Sequence, residues 1–203
     1  MKSGSAATGI VAGLERAGDV LWLQLLFLAA SLPVVTAVPA AVALQRSLRR
    51  LASGDAVSAP QFATEFAAAW KQCWLPGLLV PPLAVGAGVS ALLWSAAPAP
   101  FGALGLGVLV PLGVLAGAAY LVFLGTASEA EPKEAAGRLL ARAGRALLAR
   151  PVPAVIAAVA LAAWTAVLVR VPTLALAGSG LVPALLAWLA VRSADPMRKE
   201  QSR

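Results

Sequence analysis

The chain has 203 residues, of which 60% are hydrophobic and only 12% are charged. Its mean hydropathy is +0.84. Soluble domains carry about 25% charged residues, so composition excludes an ordinary soluble domain and points to an all-α protein of the membrane. The net charge of +7 does not argue for nucleic acid. Its Lys and Arg lie between apolar runs, where cytoplasmic loops of membrane proteins collect them. With no histidine and one cysteine, Cys73, the chain can make no intrachain disulfide, and most zinc, haem and His-dependent catalytic schemes are excluded.

Five apolar runs approach the roughly 20 residues that a helix needs to cross a bilayer core. The first covers 20–44. It begins late and behind a weakly basic start, so it reads as a retained span and not as a cleaved signal peptide. Inside it stands "SLPVVTAVPA", residues 31–40. Pro33 cannot donate to the carbonyl of Ala29, nor Pro39 to that of Val35, and each ring crowds the same carbonyl. In lipid a freed carbonyl costs several kcal/mol unless satisfied. The segment is therefore expected to be one kinked span whose broken side faces protein, with Ser31 and Thr36 supplying hydroxyls. A re-entrant loop is the alternative; it would put the N-terminus on the inner side.

Residues 60–73 follow as an amphipathic helix, with Phe62, Phe66, Ala69 and Cys73 on one face. Cys73 itself reads as an inert residue at the membrane boundary. The second and third spans, 74–97 and 101–125, are joined by the short uncharged "APAP". A second amphipathic helix, 132–150, places Ala136, Leu140, Ala143 and Leu147 on one face and Arg138, Arg142 and Arg145 on the other. Those arginines are candidates for contact with anionic lipid headgroups or a protein partner. The fourth and fifth spans are 152–169 and 171–191. Trp22, Trp70, Trp74, Trp94 and Trp188 fall near span ends, as in an interfacial belt.

The fold expected is thus an α-helical bundle of about five spans with two cytoplasmic amphipathic helices, forming one domain. Thirteen of the sixteen Lys and Arg residues lie in 45–73, 126–151 and the C-terminal tail. The positive-inside rule then puts the C-terminus in the cytoplasm and the N-terminus outside. The apolar runs hold no Asp, Glu, His or Lys, which argues against a proton-coupled pump or an intramembrane protease. No phosphate-binding glycine pattern occurs, and neither enzymatic activity nor a cofactor is expected. Small residues recur at helix-contact spacing at Gly113 and Gly117, and again at Ala154, Ala158 and Ala162, as candidates for close helix packing. Glu134-Ala135-Ala136 opens like the ATPase-docking motif of ABC importers, but the glycine that should follow at a fixed distance is replaced by Leu140, and the match reads as chance.

The first 75 residues carry a more specific pattern. Leu21-Trp22, then Ser31 to Thr36 as S-L-P-V-V-T, Pro39-Ala40, the basic stretch Arg46 to Arg50, Gly54-Asp55, and Phe62, Phe66, Trp70 and Lys71 together resemble the YesL-like family of bacterial integral membrane proteins. The resemblance implies a small multi-pass protein of the bacterial plasma membrane without catalytic residues. It further implies an accessory role beside carbohydrate ABC importers, whose subunits are its expected partners together with membrane lipids. A small transporter or channel using the broken first span, and a lipid-binding or envelope-organising protein, are the alternatives.

Overall fold

The structure, a computed structural model, describes residues 3–131, 134–149, 151–171, 174 and 178–192. Among these the chain forms α1 (Ser3–Ala30), a 3-10 turn (Val34–Thr36), α2 (Ala37–Ser53), α3 (Ala59–Ala96), α4 (Phe101–Glu129), α5 (Ala136–Ala149), α6 (Pro151–Arg170) and α7 (Leu181–Arg192). Three helices, α3, α4 and α6, are long and apolar enough to cross a membrane. At 1.5 Å per residue they measure about 57, 43 and 30 Å, against a hydrocarbon core of about 30 Å.

The first apolar run is not one kinked span. Val20 shares a cleft with Leu48, Leu51 and Ala52, and a β-carbon at Gly180 would lie within 3 Å of both Phe27 and Leu44. On one continuous helix Val20 and Ala52 would stand about 48 Å apart. The chain instead turns back at 31–36, so α1 and α2 form a helical hairpin. The hairpin differs from the single kinked span expected for 20–44 and has the turned-back course of the re-entrant alternative. The two prolines explain the turn. Pro33 biases Leu32 away from the helical region and ends α1. Pro39 lies in the first turn of α2, where its missing N–H leaves no bond unmade. Gly54, at φ 94°, closes α2 in the left-handed conformation, and its N–H meets the carbonyls of Arg50 and Leu51.

The expected boundary between an amphipathic helix and the second span also differs. Both lie on α3, which bends at Cys73 (φ −118°, ψ 18°). Pro76 is the cause, since it cannot donate to the carbonyl of Gln72. Phe62, Ala69 and Cys73 are buried and Phe66 partly so. α4 returns antiparallel to α3, with Gly105 pressed against the Trp94 ring. Part of the fifth run, 172–173 and 175–177, lies outside the described residues. The helix described there is α7, 12 residues long and about 18 Å in length, too short to cross alone.

The core sits at one end. Residues 38–47 of α2 and 121–128 of α4 are buried without interruption. At the other end of the long helices, Leu83, Leu92, Leu93 and Leu104 are each more than 60% exposed. That surface fits lipid, which is as apolar as these side chains. α2 is therefore the central helix, enclosed by α1, α3, α4 and α7, and it carries its arginines into the packed end.

Candidate functional site at the basic end

The hairpin tip holds the polar break that Pro33 and Pro39 predict. Ser31 Oγ donates to Phe27 O at 2.7 Å. Thr36 Oγ1 donates to Ala30 O and Pro33 O, and Leu32 N–H meets Ala29 O at 3.4 Å. The hydroxyls are thus spent on the chain's own backbone. The carbonyl of Val35 faces α3, where a β-carbon at Gly77 would meet it at 2.7 Å. Only glycine lets α3 pass so close to the tip. Pro39 packs beside the same glycine, its Cδ 3.3 Å from that β-carbon position. Pro33 and Leu32 are exposed, Leu32 by 81%.

The polar centre of the molecule lies at the other end of α2. Arg46 is 7% exposed. Its Nη2 lies 2.9 Å from Gln72 Oε1, 2.9 Å from Ala127 O and 3.3 Å from Ala130 O. The last two are carbonyls at the C-terminal end of α4, which have no intrahelical partner and sit at the negative end of the helix dipole. Nη1 lies 3.5 Å from Glu65 Oε2. Gln72 passes the network on, donating to Glu131 O at 3.0 Å and Glu134 O at 3.3 Å. Arg46 thereby ties α2, α3 and α4 together, and Gln72 fastens the segment between α4 and α5. Around this hub Arg50 pairs with Glu65 at 2.6 Å and Arg49 with Glu129 at 3.1 Å.

Arg46 looked like an ordinary loop charge in the sequence. A signal was present: Pro39, Val42, Ala43 and Arg46 fall at i, i+3, i+4 and i+7, on one helix face. Gln24 and Gln45 were also missed, although an amide inside "VLWLQLLFL" is itself unusual. Gln24 donates to Ser179 Oγ at 3.0 Å and Gln45 to Ala184 O at 3.2 Å. Both bonds bind the hairpin to α7 and its lead-in. A largely apolar cleft of about 430 Å³ opens there between Val20, Gln45, Leu48, Leu181, Leu185 and Trp188.

The arginines of α5 are exposed, and Arg142 also pairs with Glu134 at 3.0 Å. The apolar face of α5 is rotated from its expected position. Leu139 and Ala143 are buried, whereas Leu140 is 50% and Leu148 83% exposed. Leu140, Gly144 and Leu148 thus form a second, exposed apolar strip set between the buried face of α5 and its arginine face. Residues 132, 133 and 150 of the expected helix lie outside the described residues.

Of the small-residue positions, the structure brings Gly117 and Ala158 together: a β-carbon on Gly117 would lie 3.5 Å from that of Ala158. Ala154 is buried as well. Gly113 has no neighbour within 4 Å of its β-carbon position, and Ala162 is exposed. Close packing of α6 on α4 is confined to the enclosed end. Cys73 is fully buried at the bend of α3. Among the described residues no group of three or more His, Cys, Asp or Glu is placed to hold a metal ion.

No curated protein and no solved structure matches the chain. Residues 20–93, which comprise most of the hairpin and nearly all of α3, match the family described as "Protein of unknown function, DUF624".

Proposed function

We propose that the chain is a non-enzymatic membrane protein that works by contact, as an accessory component beside carbohydrate import machinery. The observation that carries the contact reading is the exposed surface of α5, which presents Leu140 and Leu148 on one side and Arg138, Arg142 and Arg145 on another. A helix that already packs one apolar stripe has no folding reason to carry a second. The combination suits insertion at an anionic leaflet or docking on a partner there. The carbohydrate-import assignment rests on the resemblance of the first 75 residues to the YesL-like family.

In this reading the basic end faces the cytoplasm of a bacterial plasma membrane. The hairpin brings residue 20 to the same end as 52, so the N-terminal side belongs in the cytoplasm too, and Arg170 is then the single charge of the apolar runs left at the far end. The test is co-purification in mild detergent from cells grown on a glycan. ABC importer subunits should accompany the wild type and be lost with Arg138→Gln, Arg142→Gln and Arg145→Gln combined. Absence of such subunits from the wild-type sample would refute the import role. Unchanged recovery with the triple variant would refute the role of α5.

A lipid-binding role uses the same face and predicts salt-sensitive flotation of the purified chain with anionic vesicles, lost in the triple variant. A transporter built on the broken first segment has less in its favour, because Ser31 and Thr36 bond their own backbone. Solute flux in liposomes that vanished with Thr36→Val would restore it.

A further inference from the structure

We propose that the cavity between α2 and α4 binds a phosphate group. It has a volume of about 260 Å³ and is lined by Arg46, Arg49, Arg50, Glu65, Ser128 and Ala130. The three arginines stand at i, i+3 and i+4 of α2, a spacing that brings them to one face of the helix. Two carboxylates serve three guanidinium groups: Glu65 is shared by Arg46 and Arg50, and Glu129 pairs with Arg49. Among the described residues, no third carboxylate lies within ion-pair distance of these arginines. The buried member of the set is also incompletely bonded. Arg46 is 7% exposed, and among the described residues its Nη1 has no hydrogen-bond partner, Glu65 being 3.5 Å away.

A buried guanidinium N–H without an acceptor is costly, and it is met best by an anionic oxygen. Arg49 and Arg50, with side chains 31% and 51% exposed, stand where they can reach an entering anion, and exposed ion pairs yield readily to a stronger acceptor. Arginine forks match the oxygens of phosphate in pairs. The α4 carbonyls would oppose an anion, but those of Ala127 and Ala130 are already taken by Arg46 Nη2. Ser128 is occupied as well, its hydroxyl donating to Gly125 O. The group bound is a phosphate monoanion, carried by an anionic phospholipid headgroup or by a free phosphorylated solute. The site uses no residue of α5 and stands or falls apart from the role assigned to that helix.

The test is thermal unfolding of the full chain, read by tryptophan fluorescence, in neutral detergent. Inorganic phosphate is titrated at constant ionic strength against chloride. Phosphate should raise the midpoint where chloride does not. Arg49→Gln with Arg50→Gln should weaken the response at least about tenfold, as expected for loss of two charge-assisted donors. Glu129→Gln, which frees Arg49, should strengthen it. The same titration in nanodiscs identifies the source. If the phosphate response persists in phosphatidylcholine but disappears when phosphatidylglycerol is added, the site takes a headgroup; if it persists in both, it takes a free solute. No phosphate-specific shift in the wild type overturns the proposal. So does a response that Glu129→Gln leaves unchanged, and that variant decides the matter should the double arginine variant fail to fold.

Discussion

Arg46→Met is the most informative single change. It keeps the volume and apolar stem of the side chain and removes the guanidinium. The structure then leaves the carbonyls of Ala127 and Ala130, and the Oε1 of Gln72, without their buried donor. Removing one partner of a buried ion pair costs about 3–5 kcal/mol, chiefly because the other charge is stranded. Here Glu65 keeps Arg50 at 2.6 Å, so the loss should sit near the lower limit, at about 3 kcal/mol. Arg50→Met is the internal control. That side chain is 51% exposed, and an exposed pair contributes less than about 1 kcal/mol. Neighbouring arginines four residues apart should therefore differ by about 2 kcal/mol or more. The assay is equilibrium unfolding by increasing the mole fraction of dodecyl sulfate in mixed micelles, followed by far-UV circular dichroism. Equal losses for the two variants would refute the assignment of Arg46 as the hub joining α2, α3 and α4.

The hairpin predicts that Asp19→Cys and Asp55→Cys, each in a Cys73→Ala background, are labelled by an impermeant maleimide from the same face of the membrane; labelling from opposite faces would restore a spanning first segment. Gly77→Ala should destabilise by about 1–3 kcal/mol, because its β-carbon would meet Val35 O at 2.7 Å and Pro39 Cδ at 3.3 Å, whereas Gly86→Ala, with nothing within 4 Å, should cost nothing measurable in the same unfolding assay. Thr36→Val should lose about 1–3 kcal/mol by leaving the Ala30 carbonyl without its hydroxyl donor, while Thr36→Ser should retain most of the wild-type stability.

Much of the architecture is visible in the amino-acid order because the bilayer imposes so strong a rule. Any segment within it must satisfy its own backbone, so apolar length maps directly onto helices. That is why the runs at 101–125 and 152–169 correspond to α4 and α6, extended by a few residues at their ends. The same rule made 20–44 look like a span, since length and hydropathy are alike for a crossing helix and for two short helices side by side. Proline position was the better guide. Pro39 is costly in the middle of a helix and costs nothing in the first turn of a new one, and the second arrangement is the one adopted. The α5 face was misplaced for a related reason. In "AGRLLARAGRALLA" apolar and small residues occur on more than one side, and periodicity alone does not say which strip meets α4.

Composition and order by themselves determined that this chain is helical and membrane-like, where its long apolar helices run, and that its positive charge gathers in three segments. Those properties depend on local chemistry: hydropathy, helix length and the proline ring. Tertiary structure alone decided that α1 and α2 fold back on each other, that Gln24 and Gln45 hold α7 against that hairpin, and that one of three neighbouring arginines is buried while two face outward. Burial is a property of what packs around a residue. Arg46 becomes different from Arg49 and Arg50 only when the end of α4, which is 81 residues away in sequence at Ala127, brings its unpaired carbonyls to meet it.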